Sequence, residues 1–521
     1  MKSAALLLLL TLVLRAAAAD AASPNAYAPP RFADPERRAR LEALLPEIDR
    51  EFRDYAAKKN YPGLVWGLVL DEALVHTGAV GFANVEKKIP AAADTRFRIA
   101  SMTKSFTALA ILQLRDAGKL ALDEPVSRHV PALARTAPLT TDAPAITIRH
   151  LLAMSPGFPE DNPWGDRQLA DTVPELEAFL RDGLAISNVP GVAFEYSNLA
   201  YALLGQIITH VSGQPYQRFI TEKILRPLGM NATVWEFSEV PAAKLALGYR
   251  NRDAAVAAPG AWELEPLLHD GTYGAMGGLL TTMDDFARYA ALHLASWPPR
   301  SDPEHAIARR ATLREMHLPA MFSGLAAQAK ALDGSPQPLV NAYGFGLGWT
   351  FDSRGVVRVG HSGGLPGFGS NWRFYPEHGF AVISFANLTY AGTGAVNAKV
   401  ADLLIEKAKL PRRTFPPSPI LATRTAQVAQ LVQSWDAGLA EKIVAENFFP
   451  DRSLDSWRAH ARETLAKLGA VKSVGSIVPE NQLRGTFPLV GERGRVEVFF
   501  TLTPEKDPRV QELRLTFVPK P

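Results

Sequence analysis

"FRIASMTKSFTALAILQL", residues 97–114, sets a serine three places before a lysine at the start of an apolar run. Phe106, Leu109, Leu112 and Leu114 recur at helical spacing and Gly118 closes the pattern, which predicts a helix beginning at Ser101. Spacing of three puts Ser101 and Lys104 on one face of the first turn. The free N–H groups and partial positive charge of a helix start favour an alkoxide and a neighbouring oxyanion. A lysine in a dry pocket loses its proton near neutral pH and can act as a base. A serine at this place can also do no more than cap the helix. In this chain Ser101 is the only serine with a lysine three places on.

Strand patterns flank this region on both sides. "LVWGLVLDEALVHTGAVGFANV", residues 64–85, reads as two paired strands with a turn at Asp71 and Glu72. Helical patterns dominate from 101 to about 295, and strands return over 343–388 in "YGFGLGWTFD", "VVRVGHSGG", "SNWRFYP" and "FAVISFANL". Strands at both ends with helices between predict an α+β fold: one antiparallel sheet closed by distant segments, with a helical insert. Residues 37–59, with Leu41, Leu44, Leu45, Ile48 and Phe52 at helical spacing, predict an amphipathic helix.

The first 22 residues read as a secretory signal. Lys2 is the positive end, Ala4 to Leu14 are apolar but short for a bilayer, and small residues follow, with cleavage expected near Ala19 or Ala22. The mature chain is therefore expected to be exported, either periplasmic or secreted, with no stable membrane span. "LPRRTFPPSPI" carries four prolines, so residues 410–422 read as a linker. They separate a main domain at 37–409 from a small α+β domain at 423–521, helical to about 470 and strand-like beyond.

The 56 basic and 53 acidic residues nearly balance, which gives no reason to expect a nucleic-acid or membrane-surface partner. With no cysteine, disulfides, a thiol nucleophile and thiolate metal sites are excluded. At 521 residues the chain can rest on its hydrophobic core instead.

Two further motifs carry chemistry. Tyr196-Ser197-Asn198 lies on a loop just before a helical run. A tyrosine can relay a proton if a lysine lowers its pKa, and an asparagine can hold a substrate amide and the lysine together. Tyr249-Arg250-Asn251 fits the same pattern but is read as a decoy in a polar stretch. Of three His-x-Gly matches, at His76, His269 and His361, only His361-Ser362-Gly363 both follows the tyrosine motif and ends a clear strand. The glycines beyond it allow a backbone N–H to approach a substrate. A rival nucleophile is Ser362, because Gly360-His361-Ser362-Gly363-Gly364 matches G-x-S-x-G. That elbow needs a helix directly after its serine, and Leu365-Pro366-Gly367-Phe368-Gly369 disfavours one.

Ser-x-x-Lys, Tyr-x-Asn and His-x-Gly in this order resemble the serine hydrolase superfamily of class C β-lactamases, penicillin-binding DD-peptidases and related esterases. The resemblance spans about residues 37–408 and includes "ITIRHLLAMSPG", "PGVAFEYSNLAYALLGQII", "GGLLTTMDDFARY" and "GHSGGLPGFGSNWRFYP". It implies a hydrolase that forms an acyl-enzyme without metal or organic cofactor. Ser101 is then the nucleophile, Lys104 its base partner and Tyr196 the second proton-transfer group, with Lys104 and Tyr196 both open as the acylation base. Asn198, His361 and Gly363 are substrate contacts. The N–H groups of Ser101 and Gly364 form the oxyanion site. "GAMGGLL", 274–280, resembles the glycine-rich segment beside the site, and Thr282 with Asp285 reads as a capping box. His361 stands where many relatives have a lysine. It is expected to hold a carboxylate less firmly while still donating a hydrogen bond. The implied substrate is a small molecule or peptide: an ester, an amide, a D-amino-acid peptide or a β-lactam. The alternatives are a β-lactamase or DD-carboxypeptidase proper, and a binding protein that has lost turnover on the same scaffold.

Overall fold

The computed structural model describes residues 27–252, 260–331 and 333–520. The expected signal segment lies outside them. The chain divides into two units, one over residues 32–413 and one over 414–520 with residues 27–31, where Arg31 pairs with Thr414.

The larger unit is built on a nine-stranded sheet. In chain order its strands are β1 (Gly63–Leu70), β2 (Ala73–Asn84), β3 (Ile89–Pro90), β4 (Met321–Ala326), β5 (Leu339–Tyr343), β6 (Gly348–Asp352), β7 (Val357–Leu365), β8 (Phe368–Tyr375) and β9 (Phe380–Ala386). Their order across the sheet is β3-β2-β1-β9-β8-β7-β6-β5-β4, with every pair antiparallel. β1 closes on β9 with Leu64 opposite Ala386 and Leu70 opposite Phe380, so the sheet is sealed by strands from the two ends of the unit. Asp71 and Glu72 both take positive φ (49° and 71°), as a tight two-residue hairpin turn requires. The edge strand β4 and its neighbour β5 escape the pattern reading because they lie outside the apolar runs: Phe322, Leu325 and Val340 are exposed.

Alternation splits the sheet residues between two cores. Val65, Val359, Trp372, Phe374 and Ile383 face the helical insert. Trp66, Leu68, Tyr375, Phe380 and Val382 face the terminal helices. The predicted helix at 37–59 is two helices, α1 (Arg37–Ala43) and α2 (Leu45–Lys58), joined at Leu44. The break follows from Pro46, which has no N–H and whose ring would clash with the carbonyl four residues earlier. Phe52 of α2 stacks on Trp66 at 4.9 Å.

On the insert side, α3 (Lys104–Asp116) runs through the interior, α4 (Asn198–Ser212) lies beside it and α5 (Met283–Ala295) packs on the sheet. Gly67 makes room for α5, since a Cβ there would sit 2.5 Å from Met283 Sδ. α6 (Gly394–Glu406) covers the opposite face near β8 and β9. Thr282 caps α5 through the Asp285 N–H, but the expected capping box is half-made. The Asp285 carboxylate turns away, accepting from the Ala232 N–H and the Thr233 hydroxyl.

The smaller unit has its own core. α7 (Pro419–Ser434) and α8 (Leu454–Leu468) precede a five-stranded antiparallel sheet spanning Val471–Pro519. α7 begins at Pro419, capped by Ser418, so the stretch 410–422 is a linker only in part. At its other end Leu410 is buried with the terminal helices of the larger unit.

Candidate active site

Ser101 lies in a 3-10 turn, Ala100–Thr103, that leads directly into α3. Its side chain caps neither helix. Ala100 holds a left-handed backbone (φ 50°), a conformation that costs a non-glycine residue about 1–3 kcal/mol and is typical of functional turns. Ser101 is 6% exposed and Lys104 is fully buried. Lys104 Nζ is 3.0 Å from Ser101 Oγ, 2.7 Å from Asn198 Oδ1 and 3.2 Å from the Met276 carbonyl. It also lies 4.9 Å from the centre of the Tyr196 ring. Burial pushes the Lys104 pKa down to about 7 against the opposing pull of Asp166 and then Asp161. A neutral amine is therefore well populated at physiological pH.

Asn198 is oriented from behind. Its Nδ2 donates to Asn162 Oδ1 at 2.5 Å and to Asp166 Oδ1 at 3.1 Å, which leaves Oδ1 for the lysine. Asp161 accepts from the N–H groups of Asn198 and Leu199 at 2.7 and 2.8 Å and from the Ser197 hydroxyl at 3.2 Å. It thereby satisfies the N-terminus of α4. Burial raises Asp166 to about 6, with Lys104 pulling the other way, and the Tyr390 hydroxyl donates to it at 3.1 Å. Asn162, Asp161, Asp166 and Tyr390 carry no short-range motif. The polar cluster at 160–166 holds the first three, and nothing local in the sequence marks Tyr390.

Tyr196 departs from expectation. Burial pushes its pKa well up and the nearby Ser101 hydroxyl only partly offsets this, so the phenol stays protonated. The lysine, not the tyrosine, is the group brought near neutrality.

His361 also differs. Its Nδ1 faces the Ser362 carbonyl and its Nε2 lies 2.9 Å from the Tyr343 hydroxyl. A carbonyl can only accept, so Nδ1 carries the hydrogen and Nε2 accepts from Tyr343. Burial, with Lys104 adding to it, lowers the His361 pKa to about 3. The ring is neutral and both nitrogens are engaged, so the expected free hydrogen-bond donor is missing.

Gly363 and Gly364 line the same cleft as Ser101 and Tyr196. A Cβ on Gly363 would sit 2.2 Å from both the Ile99 carbonyl and Ser370 Oγ, so only glycine lets β7 lie this close to the serine turn. The Tyr390 ring packs over Gly364, where a Cβ would be 2.9 Å from its Cδ1. β6 pairs with β7 only as far as Gly360, so the β6-side edge of residues 361–365 has no strand partner among the described residues. The cleft holds about 590 Å³ and is also lined by Asn162, Asp166 and Tyr390.

The rival serine is placed elsewhere. Ser362 lies in mid-strand, accepts from Asn371 Nδ2 at 2.8 Å, and is followed by a turn and β8 instead of a helix. The decoy Tyr249 holds the Val85 N–H and Glu86, His76 pairs with Asp49, and exposed His269 meets Glu236. "GAMGGLL" reaches the site through the Met276 carbonyl.

Several known proteins and solved structures are similar to this chain. "Protein flp" of Staphylococcus aureus is 29% identical over 348 residues, covering 66% of this chain and 63% of that protein. "Unguisins hydrolase ungD'" of Aspergillus campestris is 28% identical over 327 residues, covering 60% of this chain and 56% of that protein. The chain thus spans less than two thirds of the length of these curated relatives. The octameric penicillin-binding protein homologue from Pyrococcus abyssi aligns with a TM-score of 0.57 at 22% identity, over 91% of this chain and 96% of its own. A penicillin binding protein from Bacillus halodurans aligns at 0.53 and 25% identity, over 68% of this chain and 98% of its own. A D-stereospecific amidohydrolase from Streptomyces sp. aligns at 0.51 and 23% identity, over 72% and 99%. The Beta-lactamase family model matches residues 48–407, which take in the whole sheet and every residue of the Ser101 cleft, and the chain belongs to that family of serine hydrolases.

Proposed function

We propose that this chain hydrolyses esters or amides, D-amino-acid peptides included, through an acyl-enzyme on Ser101. The observation that carries the reading is the fully buried Lys104, 3.0 Å from Ser101 Oγ and poised near neutral pH. Neutral Lys104 takes the hydroxyl proton as Oγ attacks the carbonyl carbon. The N–H groups of Ser101 and Gly364 receive the developing oxyanion. Protonated Tyr196 donates toward the leaving group, and the lysine replenishes that proton. Water then attacks the acyl-enzyme by the reverse path, releasing the acid and free Ser101. Lys104 is preferred over Tyr196 as the acylation base because burial favours a neutral amine and disfavours a phenolate.

The neutral, fully engaged His361 supports good turnover of short uncharged esters and poor turnover of β-lactams, whose carboxylate it meets with neither charge nor donor. The segment from Lys2 to Ala22 supports export to the periplasm or beyond. Among the described residues no helix is long and apolar enough to cross a membrane. The test is fluorophosphonate labelling with mapping of the modified residue, followed by a screen of esters, D-peptides and β-lactams. Label on Ser101 and turnover of esters are expected. A chain that takes no label and cleaves nothing would instead support a binding protein.

A further inference from the structure

A second, smaller groove of about 270 Å³ opens on β7 beyond His361, and His361 and Ser362 line both it and the Ser101 cleft. Its floor includes a pair of opposed glycines, Gly348 on β6 and Gly360 on β7. Its walls carry Arg358 and Arg373 together with Asn341, Thr350 and Asn371. The register explains the grouping. Arg358 and Gly360 point to one face of β7, and Arg373 lies opposite Gly360 on β8, so the missing side chain leaves both guanidinium groups open to one space.

The groove is positively charged and lacks acid. Among the described residues neither arginine has a carboxylate within ion-pair distance. The nearby acid Asp402 is committed to Arg354 at 2.8 Å. Burial, and after it the charge of Arg358, lower the pKa of Arg373 to about 10, with Tyr375 and Asp402 opposing. Several of the other polar groups are engaged: Thr350 donates to Asn341 Oδ1 at 3.1 Å, and Asn371 donates to Ser362 and accepts from Asn397 at 2.8 Å each. The guanidinium groups are the charged donors among the groove's lining residues. Two like charges held together beside a reactive cleft match a planar anion, which arginine binds through paired N–H donors. The volume falls short of the roughly 300–1,000 Å³ that encloses a drug-sized ligand, so the groove suits one end of a molecule.

We propose that Arg358 and Arg373 form an anion subsite that takes a substrate carboxylate on the far side of His361 from Ser101. This rests on the reading of Ser101 as nucleophile. It also sharpens the substrate class: the favoured carboxylate stands well away from the scissile carbonyl, unlike that of a β-lactam.

The test uses the full chain and two series of phenyl esters, one with a carboxylate on acyl chains of increasing length and one with it on the phenol. Each is compared with its methyl-capped counterpart. In one series kcat/KM should favour the free carboxylate by about tenfold at the best length, and the preference should fade with added salt. In Arg358→Gln and in Arg373→Gln the ratio of free to capped should fall to near one. A ratio of one or below in both series, or a preference that survives both variants, overturns the proposal. Should Arg373→Gln fail to fold, the half-exposed Arg358 decides alone. Should no ester turn over, binding of adipate by calorimetry decides, with loss in Arg358→Gln expected and equal binding fatal. Ser101→Ala separates the two readings: if it hydrolyses the capped esters like wild type, the nucleophile is wrong whatever the arginines do.

Discussion

Replacing Asp166 by asparagine should move the acid limb of the pH profile to lower pH. The buried carboxylate touches Lys104 only through the Asn198 amide, accepting from Nδ2 at 3.1 Å while Oδ1 meets Nζ at 2.7 Å. Asparagine keeps an acceptor for that amide and removes the charge. The sign follows from the roles. A negative charge favours the ammonium form, so Asp166 holds the Lys104 pKa up, and its loss lets burial push that pKa further below about 7. Opposite charges in direct contact shift a pKa by about 1–3 units, so with an amide between them about one unit is expected. Against fully ionised Asp166 the neutral fraction of Lys104 at pH 6 would rise from about 0.09 to about 0.5; because Asp166 is itself about half protonated at that pH, the gain there is about twofold, with little change at pH 8. The wild-type limb should also flatten near pH 6, where Asp166 itself titrates, while the variant shows a single ionisation. The assay is kcat/KM for a short ester between pH 5 and 9, alongside the rate of fluorophosphonate labelling. A limb that stays in place or moves to higher pH refutes Lys104 as the base held by Asp166.

Ser101→Ala should abolish labelling and lower turnover by about three or more orders of magnitude with binding largely kept, whereas Ser362→Ala should retain its label in the same gel assay. His361→Lys should shift preference toward carboxylates close to the scissile carbonyl by about 1 kcal/mol, the scale of a partly exposed ion pair, read as the ratio of kcat/KM for charged and uncharged substrates. Wild type clearing cephalosporins faster than short esters would contradict the account of His361. Gly363→Ala should cost about 1–3 kcal/mol and lower the melting temperature, because its Cβ lands on the Ile99 carbonyl and Ser370 Oγ. A chain ending at Arg413 should fold and still acylate Ser101, since every residue named in the site lies within 32–413. A folded truncation that takes no label would place a missing catalytic group in the C-terminal unit.

Local relations were legible in the sequence. Ser101 and Lys104 are three residues apart on one helical turn, so their pairing follows from helix geometry alone. The hairpin at Asp71-Glu72, the strand ending at His361 and the return of strands after the helical insert follow from period and turn chemistry, and together they imply a sheet closed by distant segments. The lack of cysteine ruled out thiol chemistry outright. The exposed strands β4 and β5 and the kink at Leu44 lay beyond that reading, because the first carry little buried apolar pattern and the second turns on a single proline.

What Lys104 and His361 can do was decided only by the tertiary structure, because desolvation and hydrogen bonding sum over residues far apart in the chain. Lys104 meets Asn198 and the Met276 carbonyl, 94 and 172 positions away, and its near-neutral pKa comes from burial that no local pattern encodes. His361 looks like a free donor in the motif, yet Tyr343, 18 positions earlier, occupies its second nitrogen. Arg358 and Arg373 come together because strand register sets a glycine opposite one of them, and a one-residue slip would have sent each to the other face of the sheet.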